Sequence, residues 1–219
     1  MQKEYSHMVV STPAHLLPRK RPLQARSSAT IDAIFEASLQ LLIAHGPARL
    51  TTTRVAERAG VSIGTIYQYF PHKKALLYAL NERYLDDLAA RIVETCRLHE
   101  GATRDIMVAA LVHCYWEAKT ERADVTRVLY QSVTELDNGA LIETFAARVD
   151  VATTAMLASA PDAQFANIKS VNLALVTVIF GAVRNAFERN LVPEDNIALK
   201  DQLVLMCQAY LSAAKEPPR

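Results

Sequence analysis

Thr51-Thr52-Thr53-Arg54-Val55-Ala56-Glu57-Arg58-Ala59-Gly60-Val61-Ser62-Ile63-Gly64-Thr65-Ile66-Tyr67-Gln68-Tyr69-Phe70 reads as two short helices meeting at a glycine. Thr52 is placed to cap the first, with Val55, Ala56 and Ala59 turned inward. Gly60 permits the φ > 0 bend that a tight interhelical turn needs. Val61 can plug the gap between the helices, and Ser62 can cap the second. That second helix opens on Ser62, Ile63, Gly64 and Thr65, side chains short enough for its backbone to come close to base edges. Glycine lowers helix stability, so so bare a first turn asks for a reason outside folding. A helix-turn-helix offers its second helix to the DNA major groove in this way.

The side chains divide by task. Thr65 and Gln68 are hydrogen-bonding candidates, and glutamine can address adenine through two atoms. Ile63 can touch a thymine methyl, while Ile66 points inward and Phe70 seals the end. Phosphates supply the larger share of affinity. Thr52 and Arg54 on the first helix, Tyr67 and Tyr69 on the second, and Lys73 and Lys74 just beyond are suited to grip them. Both lysines oppose the positive end of their own helix dipole, a conflict that a phosphate would relieve. Between Ser62 and Phe70 there is no lysine or arginine. One such helix is therefore a weak specific reader, and two copies in a dimer on a palindromic operator are expected.

Outward from this stretch the pattern stays helical. Ser27 or Ser28 can cap a helix with Ile31, Ile34, Phe35, Leu39 and Leu42 on its apolar face, stopped by His45-Gly46-Pro47. After Pro71-His72 a long helix is predicted over 73–99, then others near 103–120, 122–136, 139–160, 162–190 and 196–214. No sustained period-two alternation or internal repeat occurs, and the fold class is all-α. Residues 1–26, with Pro13, Pro18 and Pro22, read as a disordered arm in which Arg19-Lys20-Arg21 and Arg26 concentrate charge. The opening residues, Ser6-His7-Met8 among them, also fit an expression leader.

Charge follows the same division. The 219 residues have a formal net charge of +1, yet the first 80 carry ten Lys/Arg against four Asp/Glu, and the rest fourteen against nineteen. A basic front and an acidic rear suggest that only the front meets a polyanion. Cys96, Cys114 and Cys207 form no CxxC and read as reduced thiols of a cytosolic protein. The apolar run from Leu173 to Val183 is too short to span a bilayer, so no membrane partner is expected.

Residues 27–88 resemble the DNA-binding domain of TetR-family transcriptional repressors. The resemblance rests on Leu50-Thr51-Thr52-Thr53, Val55-Ala56, Ala59-Gly60-Val61-Ser62, Gly64-Thr65-Ile66-Tyr67, Tyr69-Phe70 and Lys73-Lys74-Ala75-Leu76-Leu77. It implies a three-helix head over 27–88, joined by a fourth helix to a helical body over 89–219 that binds a small ligand and dimerises. It also implies Thr52, Tyr67 and Lys73 as phosphate contacts, and Thr53, Ser62, Ile63, Thr65 and Gln68 as groove-facing. Little sequence is common to the family beyond residue 100, so no ligand residue carries across.

In the body, apolar residues from Val171 to Val183 cover the whole helix circumference, as for a helix buried on two sides. Leu203, Met206, Cys207, Tyr210, Leu211 and Ala214 form a stripe on the last helix. A four-helix interface between two copies explains both patterns, with Val171, Leu175, Val178, Ala182, Leu203, Met206, Cys207, Tyr210 and Leu211 as its residues; a monomeric core explains them too. Met107, Tyr115, Trp116, Tyr130, Phe145, Met156, Phe165 and Phe180 are candidates to line a site for an unidentified effector. His113, Asn172 and Arg184 are its polar handles, although an internal carboxylate, Glu143 or Glu188, is the better expected partner for Arg184.

Other functions find little support. HExxH, GxSxG, a Walker loop and GxGxxG are all absent, and no catalytic residue, cofactor or metal is expected. Cys96 with His99, and His113 beside Cys114, could suggest a metal, but adjacent residues on a helix diverge in direction. A thiol redox sensor and a nonspecific DNA-packaging protein are the remaining rivals. The body lacks the lysine-rich surface that packaging needs.

Overall fold

The computed structural model describes residues 25–132, 136–189 and 191–216. Among them are nine α-helices and one 3-10 turn, and no strand. They are α1 (Ala25–His45), the turn Pro47–Arg49, α2 (Thr52–Ala59), α3 (Ile63–Tyr69), α4 (Lys73–Leu98), α5 (Arg104–Thr120), α6 (Ala123–Ser132), α7 (Gly139–Ala158), α8 (Ile168–Glu188) and α9 (Pro193–Ala214). The all-α expectation holds. The arm expected over 1–26 lies outside the described residues, except that Ala25 and Arg26 already belong to α1. Ser27 and Ser28, expected to cap the helix, therefore stand within α1.

The chain forms two compact units. One contains residues up to Leu85 together with Arg127–Thr144; the other contains Asp86–Thr126 and Phe145 onward. Neither matches the simple division at 88/89, because most of α6 and the first turns of α7 cluster with the front of the chain. α4 runs through both units.

In the first unit, α1 packs on α2 and α2 on α3. Ile34, Leu42, Leu50, Val55, Ile66 and Phe70 are buried there, and the Phe35 and Phe70 rings lie 5.7 Å apart. Gly46 ends α1 at φ 72, and Pro47 follows as the first residue of the 3-10 turn. Asn81 on α4 is buried, and its Nδ2 donates to Leu77 O at 2.8 Å and to Ser132 Oγ on α6 at 3.2 Å. Tyr78 and Leu141 share a small core with Leu85. These contacts explain why α6 and the start of α7 belong with the front.

The second unit is built around Ile92, Met107, Leu111, Tyr115, Val149, Met156, Leu175, Ile179, Leu203 and Leu211. α5 packs against α8 and α9. α8 begins at Ile168, not near 162, because Asn167 caps it: Oδ1 accepts from Ser170 N at 3.1 Å. The intervening segment has another task. Asp162 accepts from Arg104 N at 2.9 Å and pairs with Arg104 Nη1 at 2.8 Å, which fixes the start of α5. α8, 21 residues long and holding an 18-residue stretch of mean hydropathy 1.5, is long and apolar enough to cross a bilayer by length and composition. Its Val171, Leu175, Val176, Ile179 and Val183 are nevertheless spent in the core of this unit.

Candidate nucleic-acid interface and body site

The geometry of α2 and α3 follows from capping. Thr51, not Thr52, is the N-cap of α2, its hydroxyl accepting from Arg54 N at 3.3 Å. Gly60 closes α2 at φ 67, a left-handed backbone that costs an L side chain about 1–2 kcal/mol. Gly60 N donates to Glu57 O at 3.3 Å and Val61 N to Ala56 O at 3.0 Å, the paired bonds of a Schellman motif. Ser62 then caps α3: its Oγ accepts from Thr65 N at 3.0 Å. Ile66 is fully buried, and Phe70 nearly so.

This arrangement leaves one side of α3 open. Ser62, Ile63, Gly64, Tyr67 and Gln68 are exposed, as is Thr53 on α2. Ile63 and Tyr67 show 39% and 44% of their surface. Thr65 is half-buried, and its hydroxyl lies 2.9 Å from Ser62 Oγ. Thr52 Oγ1 and Tyr67 Oη sit 3.4 Å apart, which places the expected phosphate groups of α2 and α3 side by side.

The expected phosphate contacts separate on inspection. Tyr69 is only 8% exposed and its ring meets Phe70 at 6.2 Å, so it is a core residue where a surface grip was expected. Lys73 is half-buried and its Nζ donates to Pro47 O at 2.7 Å, tying the start of α4 to the 3-10 turn. Its dipole conflict is eased inside the protein. Lys74 is exposed. Arg54 is half-buried, with Nη1 donating to Arg49 O at 3.0 Å. His72, read from sequence only as part of a break, accepts from Ala75 N at 3.1 Å and so caps α4. Nothing in a Pro-His pair announces that ring as a cap.

The candidate effector residues are less uniform than expected. Met107, Tyr115, Trp116, Met156 and Asn172 are buried in the second unit, with Phe145, Phe165 and Phe180 packed against its core. Tyr115 stacks on Phe180 at 4.2 Å, and Phe145 meets Phe180 at 5.7 Å. Three candidates fall elsewhere. His113 is exposed on the outer side of α5. Tyr130 belongs to the first unit. Arg184 is exposed and pairs with Glu188 one turn on, at 2.9 Å, the internal carboxylate anticipated for it. Sequence reading missed Lys119: it is 2% exposed, its Nζ lies 5.5 Å from the Tyr115 ring centre, and burial pulls its pKa down to about 7. Its position four residues after Tyr115 was the available signal.

The expected dimer stripe also divides. Val171, Leu175, Leu203, Cys207 and Leu211 fill the core of their own unit. Val178, Met206 and Tyr210 are exposed, along with Leu173, Ile197 and Leu205, which the sequence reading left out; Ala182 lies between the two sets. Helical spacing alone could not separate the inner row from the outer one. The thiols have no reactive setting: burial pushes Cys96 up to about 12 and Cys207 up to about 11, and raises Cys114 as well.

Comparison with known proteins adds the following. A family model described as bacterial regulatory proteins, tetR family, matches residues 34–80. A second, described as tetracyclin repressor-like, C-terminal domain, matches residues 105–211. The chain is 31% identical over 97 residues to nucleoid occlusion factor SlmA of Haemophilus ducreyi, covering 44% of this chain and 47% of that protein. It is 44% identical over 54 residues to the tetracycline repressor protein class C of Escherichia coli, a quarter of each chain (25%). The chain thus spans at most about half the length of these two curated relatives. Among solved structures, a TetR-family transcriptional regulator from Mesorhizobium loti superposes with a TM-score of 0.71 at 15% identity, over 88% of this chain and 100% of that one. At that identity the likeness speaks to fold.

Proposed function

Given that the chain belongs to the TetR family of bacterial transcriptional regulators, we propose that it is a homodimeric repressor that reads a palindromic operator and is released by a small molecule. The observation that carries this reading is the open side of α3. Ser62, Ile63, Gly64 and Gln68 face outward from a helix whose opposite side, Ile66, is sealed in the core. A helix held so rigidly and dressed so lightly suits insertion into a groove. In this reading Gln68, Thr65, Ser62, Ile63 and Thr53 face bases, while Thr52, Arg54, Tyr67 and Lys74 hold phosphate. Lys73 contributes by positioning α4.

The head is assigned to residues 27–88 and the body to 89–219. Two copies join through the exposed apolar side chains of α8 and α9, among them Val178, Met206 and Tyr210. The effector occupies the aromatic region of α5, α7 and α8. α4 is shared by both units, so a ligand that favours one setting of α4 alters the presentation of α3. To lower operator occupancy about a hundredfold, its affinity for the two settings must differ by about 3 kcal/mol.

Two substitutions test the division between base and phosphate. Gln68→Ala should relax preference at one base position per half-site and leave the salt dependence of binding unchanged. Lys74→Ala should weaken binding to every sequence and lower the salt slope by about one for each protomer bound. Wild-type base preference in Gln68→Ala, with a wild-type slope in Lys74→Ala, would remove both residues from the interface.

A further inference from the structure

Asn172 occupies a position in α8 where the helical pattern calls for an apolar residue. Leu175, Val176, Ile179 and Val183, its neighbours along that stripe, are buried, and Asn172 itself is 2% exposed. Its Nδ2 donates to Asp150 Oδ1 on α7 at 3.2 Å. Its Oδ1 is buried, and no donor among the described residues reaches it. Leaving such a carbonyl unsatisfied is unfavourable, and a leucine here would avoid the cost.

The electrostatics point the same way. Asp150 is half-buried, and burial raises its carboxyl above the ordinary range while the bond from Asn172 opposes the rise. No cation is among the groups that act on it. Arg148, two residues away, is committed to Asp86 at 2.6 Å. One negative charge and an orphaned acceptor therefore meet between α7 and α8, with no positive group among the described residues paired with them. Phe145 and Phe180, in ring contact with each other, lie five residues before Asp150 and eight after Asn172 on these same helices. At the helical rise this is about 8–12 Å along the helix axes.

We propose that Asp150 and Asn172 bind the protonated amine of an organic cation whose apolar body extends toward the Phe145–Phe180 pair. The amine donates one N–H to Asn172 Oδ1 and another to the Asp150 carboxylate, and the aryl or alkyl remainder lies against the rings. This rests on the effector role proposed for the body and gives that effector a chemical class and a length.

The test uses the full-length protein and a series of ω-phenylalkylammonium ions with two to eight methylenes, beside the alcohols and carboxylates of the same skeletons. Trp116, the sole tryptophan, is buried in the same core and reports binding by its fluorescence. The ammonium ions should bind at least ten times more tightly than the alcohols, with the best member near six methylenes. Asp150→Asn and Asn172→Leu should each lower ammonium affinity about tenfold, with far-UV circular dichroism verifying that both variants fold. Asn172→Leu also fills its site with carbon, so its loss of binding is not a loss of folding. Tighter binding of the carboxylates, equal binding of the alcohols, no binding by any ammonium ion, or wild-type affinity in both variants would each overturn the proposal. In the last case the orphaned oxygen is served by water alone. Specific operator binding that persists through such a failure leaves the regulator reading standing; its loss removes that reading first.

Discussion

A Cβ built at Gly64 meets nothing nearer than Ser62 Oγ, at 3.6 Å, an ordinary contact. Folding therefore does not require glycine there, in contrast to Gly60 with its φ of 67. Alanine at 64 should stabilise the head by about 0.5–1 kcal/mol through helix propensity. If α3 needs close backbone approach to bases, the same methyl should weaken operator binding. Gly64→Ala is thus expected to raise Tm while lowering DNA affinity, measured on one preparation by calorimetry and by titration with duplex. A variant that is more stable and binds as tightly as the parent would show that the bare turn has no part in recognition. The residue scale is also where sequence reading was most and least successful. Gly60, Ser62 and Ile66 were legible because backbone sterics, capping and helical period are local. Tyr69 and Lys73 were not, because burial of the one and capture of the other by Pro47 O depend on how α1 and α4 return past α3.

At the level of elements, α5 carries a test that DNA does not enter. Lys119 is buried near the Tyr115 ring with its folded pKa lowered to about 7. An unfolded lysine titrates near 10.4, so between about 7 and 10.4 the unfolded chain binds more protons at this site than the folded one. Stability should accordingly rise with pH through that window. Below about 7 both states are charged and the full penalty of burying the ammonium applies. Each pKa unit of difference is worth about 1.4 kcal/mol. Denaturant titrations of wild type and Lys119→Met at pH 7, 8.5 and 10 should show their difference moving in favour of wild type as pH rises. A difference constant with pH would mean that Lys119 titrates normally in the folded state. Element ends show a similar split between local and distant causes. α8 starts six residues later than the Pro161-Asp162 pair indicates, because Asp162 is engaged with Arg104 and Asn167 caps the helix. The cap is local, three residues in span, whereas the Arg104–Asp162 pairing joins residues 58 apart and cannot be read from spacing along the chain.

For the whole molecule, the last helix separates what holds one protomer together from what is proposed to join two. Leu203, Cys207 and Leu211 recur every four residues and are buried, while Met206 is 50% exposed one position before Cys207. Met206→Glu should leave the protomer folded and shift its mass in solution from dimer to monomer at micromolar concentration. Leu203→Glu should unfold it. A Met206→Glu variant that remains fully dimeric would place the contact elsewhere. Monomers should also lose the symmetry of recognition, since α3 lacks lysine and arginine and each good base contact contributes only about 1–3 kcal/mol. The charge division and the motif at residues 51–70 point to two parts, and the chain forms two compact units, though not split at 88/89. The intrusion of residues 127–144 into the first unit was not legible, because it rests on the buried Asn81–Ser132 bond and the Tyr78–Leu141 contact. The most direct test of the account is selection of bound duplexes from a random pool, followed by titration of the winner against unselected DNA at one fixed salt concentration. The account predicts an inverted repeat, bound at least about a thousandfold more tightly than the pool. Enrichment of no sequence, with one weak affinity for every duplex, would contradict it.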